Sequence, residues 1–237
     1  MVGKGMKGNP DNYTASLKSM LKSVIMSGRL ISVVLYFIKR LYSQGQFYIL
    51  RRDLTVPIET IHNDIPLRFR LLRQDDIPKF LYAEPSLIKI IDPLERLRLM
   101  NMFNVGFQNC YVTVIDDDKP CHLCWLINSG ENERIFHEFK GGIQPLAPDE
   151  VLIENTFTLE QYRRRGIQSW SIQKLIEKSA EIGAKSAFAY VRNSNTNSLK
   201  SFKKNGFTVH MIRNDKWRML RRRFTFVTQT TGKPHDS

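Results

Sequence analysis

Two hydrophobic periods take turns along this chain, and they mark out its elements before any single residue is weighed. From residue 14 to about residue 43, Leu17, Met20, Leu21, Val24, Ile25, Ile31, Val34, Leu35, Ile38 and Leu41 recur at helical spacing, with Lys18, Lys22, Arg29, Lys39 and Arg40 between them. This predicts one or two amphipathic helices. Residues 1–13, rich in Gly, Lys and Asn, lack the pattern and are expected to be disordered. Residues 46–54 read as a strand, and residues 56–65 as a connector broken by Pro57 and Pro66. Leu67, Phe69 and Leu71 then alternate with Arg68 and Arg70, the period of a half-buried strand, and Asp75 and Asp76 lead into a helix with acids near its start.

A helix over about 92–107 and strands over 109–116 and 119–127 come next. Residues 129–148 hold Glu131, Glu133, Glu138, Gly141, Gly142 and two prolines, which reads as a long loop or a distorted hairpin. Beyond them the pattern sharpens into a strand at 151–158, a helix at 166–182 ended by Gly183, a strand at 186–192 and a helix at 195–205 capped by Gly206. Residues 207–213 and 216–227 form a closing hairpin turning at Asn214 and Asp215, and a polar tail follows. Interleaved strands and helices require an α/β sandwich. The expected division is a disordered start and helical extension at 1–45, an extra strand and connector at 46–66, the main domain at 67–227 and a flexible tail at 228–237.

Charge changes the picture more than composition does. The net charge is +13, but residues 48–158 hold twelve Lys/Arg against seventeen acids, while residues 159–237 hold seventeen against five. The last third is where an anionic ligand is expected. Its aromatic residues follow strand and helix patterns and form no stacking platform, which argues against a nucleic-acid partner. The apolar run 30–38 falls far short of the roughly twenty residues that span a bilayer. The helices over 14–43 are therefore expected to dock, to self-associate or to lie on a membrane surface. Cys110, Cys121 and Cys124 make no disulfide framework and point to the reducing cytoplasm. Cys121 and Cys124 lack a second pair and, three apart in a strand, face opposite ways, so core packing and no metal site are expected.

Arg163-Arg164-Arg165-Gly166-Ile167-Gln168 joins the strand at 151–158 to the following helix. At such a junction the first backbone N–H groups have no partner within the helix, and the helix dipole adds positive potential where they point. A pyrophosphate fits there. Gly166 lets the backbone approach a ligand closely, and the three arginines supply charge that neutral amides cannot. Ile167, Gln168 and Ser169 belong to the same anion-binding turn.

About thirty residues on, the chain reads Asn195-Thr196-Asn197-Ser198-Leu199-Lys200-Ser201-Phe202-Lys203-Lys204-Asn205-Gly206-Phe207. Together the two segments resemble the GNAT superfamily of acyl-CoA-dependent N-acyltransferases. Its first signature, Arg/Gln-x-x-Gly-x-Gly/Ala after a strand, is met by Arg163 and Gly166. Its second runs Asn-x-x-Ala, an aromatic residue and Lys-x-Gly-Phe, and Asn195, Ser198, Phe202, Lys204, Gly206 and Phe207 fall at that spacing. The resemblance covers about residues 67–227 and is specific over 151–207.

This resemblance implies a mixed, mostly antiparallel central sheet flanked by helices, with acetyl-CoA or another acyl-CoA as co-substrate. It implies acyl transfer to a small-molecule or carrier-linked primary amine by direct attack in a ternary complex. Phe157 and Thr158 would offer backbone groups to the pantetheine, one N–H polarising the thioester carbonyl. Asn195 would meet the pantetheine arm and can also cap its helix, although Ser194 and Thr196 are the expected capping residues. Two positions depart from the family. Gln168 replaces a small residue beside the pyrophosphate, so its side chain must point away or the phosphate path must shift. Phe202 replaces a tyrosine that protonates the departing thiolate, although a thiol with a pKa of about 8.5 can leave as thiolate and take its proton from water. A CoA-binding or interaction module without catalysis is the alternative.

A general base must take the proton of the attacking amine. Glu154, a carboxylate within the apolar run Val151-Leu152-Ile153-Glu154-Asn155, is the candidate, because partial burial raises a carboxyl pKa. Alternation places it on the face of Thr156 and Thr158 unless a bulge intervenes. The competing reading is a carboxylate paired with a neighbouring Arg or Lys. Glu131, Glu133 and Glu138 suggest a cationic or amine-bearing acceptor, and Trp170 and Tyr190 read as packing residues.

Overall fold

The computed structural model describes residues 38, 41–57, 59–81 and 93–228. The start expected to be disordered, nearly all of the expected amphipathic segment over 14–43 and the tail beyond residue 228 lie outside the described residues. Eight strands build one sheet: β1 (Tyr42–Asp53), β2 (Leu67–Leu71), β3 (Cys110–Ile115), β4 (Lys119–Asn128), β5 (Glu150–Thr158), β6 (Ser186–Arg192), β7 (Thr208–Arg218) and β8 (Arg221–Thr228). Their order is β2-β3-β4-β5-β6-β1-β7-β8. Every neighbouring pair is antiparallel except β5 with β6. Helices α1 (Ile77–Leu81), α2 (Pro93–Val105), α3 (Asn132–Phe139), α4 (Ile167–Glu181) and α5 (Thr196–Lys204) cover the sheet.

Strand alternation sorts the side chains into two cores. Leu123, Trp125, Ile127 and Leu152 gather with Phe80 of α1, Leu99 of α2 and Ile135 of α3. Leu126, Val151 and Ile153 gather with Ile172, Leu175 and Ile176 of α4 and Phe202 of α5. Each buried aliphatic side chain contributes about 1.5–3 kcal/mol. The expected sandwich is the fold, a mixed and mostly antiparallel sheet with helices on both faces. β1 does not flank the sheet but lies within it, between β6 and β7, with Ile49 and Leu50 buried.

Two irregularities position the site. β5 and β6 pair only at Glu150 with Ser186, Val151 with Ala187 and Leu152 with Phe188, and the ladder stops there. Further along β5, Phe157 lies opposite Leu123 while Glu154 lies opposite Trp125, so Asn155 and Thr156 together face the single residue Cys124. This is a β-bulge, and Asn155 takes the left-handed backbone it needs, with φ 51°. The bulge shifts the alternation by one, which is why Leu152 and Phe157 share a core. Glu154 accordingly shares a face with Phe157, not with Thr156 and Thr158, and the unbroken alternation expected for this strand is corrected.

Two further expectations change. Residues 129–148 contain α3, entered through Asn128, whose side chain accepts the Gly130 N–H, and left through Lys140 and Gly141 at φ 52° and 80°. The helix is short, and its glycine- and proline-rich flanks dominate the composition of the segment. The closing hairpin turns at Met219 and Leu220, with φ 47° and 64°, while β7 runs straight through Asn214 and Asp215. Asp215 is not a turn residue because its buried carboxylate pairs with Arg213 and Arg222.

Candidate functional site

Where the β5–β6 ladder stops, two clefts meet. The first, about 540 Å³, is lined by Thr156, Phe157 and Thr158 of β5, by Arg163, Arg164 and Gly166 of the turn, by Ile167, Gln168 and Ser169 of α4, and by residues at the start of α5. The second, about 440 Å³, is lined by Phe47, Arg98, Glu154, Tyr190, Arg192, Arg213 and Arg222, among others. Thr156, Asn195 and Ser198 line both.

The first cleft owes its shape to the turn. Gly166 is the N-cap of α4 with φ 72° and has no side chain with which to cap it, so the N–H groups of the first helical turn remain available to an anion. Asn63 supports the turn by donating from Nδ2 to the Arg165 carbonyl at 2.9 Å, and a Cβ at Gly166 would come within 3.1 Å of that nitrogen. The connector is fastened to α4 by Gln173, which accepts the Ile61 N–H at 2.8 Å and donates to the Glu59 carbonyl at 2.9 Å. Arg163 donates from Nε to the Thr158 carbonyl at 3.1 Å. Arg164 also has a left-handed backbone, φ 65°, and lines the cleft. Arg165 does not line it, and its guanidinium lies 5.8 Å from the centre of the Tyr162 ring.

Gln168 has a defined place. Its Nε2 donates to Thr156 Oγ1 at 3.1 Å and to Ser198 Oγ at 3.2 Å, so the side chain bridges β5 and α5 where the clefts meet. Asn195 caps α5 by accepting the Ser198 N–H at 3.2 Å. Phe202 is buried edge-to-face on Phe207, with ring centres 5.0 Å apart, and lines the second cleft rather than the first. Behind Thr158, whose Oγ1 lies 2.7 Å from His122 Nδ1, the His122 imidazole is fully buried. Burial pulls its pKa down to about 3, so the ring is neutral, and its Nε2 has no partner among the described residues.

Glu154 lies in the second cleft, 6% exposed, with Arg98 donating from Nη2 to its Oε1 at 2.8 Å. It is therefore both a buried carboxylate at the site and one member of an ion pair. Arg213 is held by Asp215, its Nε donating to Oδ1 at 2.8 Å, and Arg222 reaches the same carboxylate at 2.6 Å. Burial lowers the Arg213 pKa while Asp215 opposes that shift. Tyr190 serves for more than packing: its ring lines the cleft and its hydroxyl accepts the Gln144 N–H at 3.2 Å. Burial raises its pKa.

Arg98, Arg192, Arg213, Arg222 and Phe47 do not stand out as site residues in the sequence. One signal was present: Arg213 and Asp215, two apart in a strand, must share a face. The acids of 129–148 are placed otherwise than expected. Glu131 is buried and accepts from Gln108 and Arg134, Glu133 lies beside His137, and Glu138 accepts from Asn101. None of the three lines either cleft, so they give no support to a cationic acceptor. All three cysteines are buried, and burial pushes the Cys121 thiol up to about 12.

Residues 95–207 match the sequence model of the acetyltransferase (GNAT) family. No curated protein matches the chain. Among solved structures, a glucosamine N-acetyltransferase region of a fungal multi-domain β-N-acetylglucosaminidase is similar at 12% identity and a TM-score of 0.51, over 77% of this chain and 22% of that one. A GCN5-related N-acetyltransferase from Sphaerobacter thermophilus aligns at 13% identity and a TM-score of 0.49, over 79% of this chain and 57% of that one. A Drosophila protein aligns at 12% identity and a TM-score of 0.47, over 79% of this chain and 56% of that one. The chain thus spans little more than half the length of the last two. At these identities the likeness is one of fold. None of the described helices is long and apolar enough to cross a membrane.

Proposed function

Because the chain belongs to the GNAT superfamily, we propose that it moves an acyl group, acetyl first of all, from acyl-CoA to a primary amine by direct attack. One observation carries this reading: an anion-receptive turn and a buried carboxylate open into two clefts that meet at Thr156, Asn195 and Ser198. The turn fits a pyrophosphate because Gly166 is left-handed and leaves the start of α4 uncapped. Bound acyl-CoA supplies an activated thioester carbonyl. One backbone N–H of the Phe157–Thr158 stretch holds the carbonyl oxygen as negative charge grows on it. The acceptor amine comes from the second cleft, and Glu154 takes the proton it sheds as the C–N bond forms and the C–S bond breaks. Phe202 has no proton to give, so the thiolate takes one from water.

A small-molecule or carrier-linked amine in the cytoplasm is the acceptor we favour, the reducing compartment being supported by three unpaired, buried cysteines. The apolar Phe202 supports a second reading, a CoA-binding module without catalysis. Free-thiol detection with acetyl-CoA and a panel of primary amines separates the two. Thiol release that requires both protein and amine, and that collapses in Glu154→Gln, is the expected result. Saturable CoA binding with no release for any amine would favour the second reading.

A further inference from the structure

We propose that the acceptor amine carries an anionic group, a carboxylate or phosphate, held by Arg192 on the wall of the second cleft. This rests on the acyl-transfer reading above and names the substrate class it takes.

Strand register produces the arrangement. Phe47 of β1 lies directly opposite Arg192 of β6 on one side and Arg213 of β7 on the other. Residues directly opposite share a face, so the three side chains form one row across neighbouring strands. The Phe47 ring receives both guanidiniums, with Cζ 5.0 Å from its centre for Arg192 and 4.2 Å for Arg213. Such a contact tethers the Arg192 guanidinium over the ring while leaving N–H groups for two parallel bonds to a carboxylate or phosphate.

The charges around the cleft do not balance. Arg98, Arg192, Arg213 and Arg222 line it. Glu154 is taken by Arg98, and the single carboxylate of Asp215 serves both Arg213 and Arg222. Arg192 has no carboxylate partner among the described residues, and its side chain is exposed. Four guanidiniums thus face two carboxylates. A second observation points the same way: Asn155 Nδ2, a buried donor at the bulge that lines this cleft, has no partner among the described residues. A wall with surplus cations and a spare donor is relieved by an entering anion, whereas a diamine would meet like charge.

The test compares four acceptors at saturating acetyl-CoA: β-alanine, its amide, 2-aminoethyl phosphate and 1,3-diaminopropane. At least one anionic amine is expected to exceed both the amide and the diamine in kcat/KM by about tenfold or more. The ratio of β-alanine to 2-aminoethyl phosphate then tells carboxylate from phosphate. Arg192→Gln, a change at an exposed position, should raise KM for the anionic amine and shrink its advantage over the amide. Equal or better turnover of the amide or the diamine would overturn the proposal while leaving acyl transfer intact. If no amine releases thiol, N-acetyl-β-alanine and its amide are titrated into CoA-saturated protein. Selective binding of the carboxylate, lost in Arg192→Gln, would keep the anion site and sink the transfer reading, and binding without selectivity, or none, would overturn the site as well.

Discussion

The two clefts differ in how far apart in the chain their residues lie. The first is drawn almost wholly from 156–169 and 195–201, whereas the second takes side chains from β1, α2, β5, β6, β7 and β8. A turn proposed to receive phosphate is fixed by a few backbone angles, here φ 65° at Arg164 and 72° at Gly166. A wall that places Arg192, Phe47 and Arg213 in one row depends on the register of three strands. On the proposed assignment of the clefts, donor recognition can therefore persist in a short stretch of sequence while acceptor recognition is rebuilt around it by exchanging residues far apart in the chain.

The sharpest break in this comparison is Glu154→Gln. It should lower kcat by about 10²–10⁴-fold, the range for a lost general base, and leave acetyl-CoA binding unchanged. Steady-state kinetics beside a binding isotherm checks both halves. Asp215→Ala comes next, since it leaves Arg213 and Arg222 without their shared carboxylate. Removing one member of a buried ion pair costs about 3–5 kcal/mol, readable as a lower denaturant midpoint.

How much of each cleft could be read from the sequence follows from the same contrast. The turn at 163–168 was legible because it is local, whereas the cap of α5, expected at Ser194 or Thr196, is made by Asn195 between them. The row through Phe47 was not legible, because β1 joins the sheet between β6 and β7, strands more than a hundred residues away in the chain. The bulge at Asn155 was equally hidden: it depends on Cys124 standing opposite two residues, which no period in β5 announces. Asn214 and Asp215 have turn chemistry in isolation, yet Asp215 lies in the middle of a strand because Arg213 and Arg222 meet its charge there.

Acidification tests the wall behind the first cleft. The His122 pKa is about 3 in the folded protein and about 6.5 in an unfolded chain, so between these values only the unfolded chain binds the proton. Stability should accordingly fall as the pH drops below about 6.5, by up to about 1.4 kcal/mol per pH unit, and His122→Gln should flatten that slope in unfolding curves taken from pH 7 to 4.5. The smallest expected effect on stability is that of Gly166→Ala. Forcing a Cβ into the left-handed region costs about 1–2 kcal/mol. The KM for acetyl-CoA should rise, while the preference among acceptors stays as it was.

The separation of the two clefts is tested most directly by calorimetric titration of acetyl-CoA into the parent protein, an Arg163→Glu/Gly166→Val variant and an Arg192→Gln variant. Binding in the parent and in Arg192→Gln, with none in the folded turn variant, is the predicted result. A turn variant that binds as the parent does, or a loss caused by Arg192→Gln alone, would contradict it.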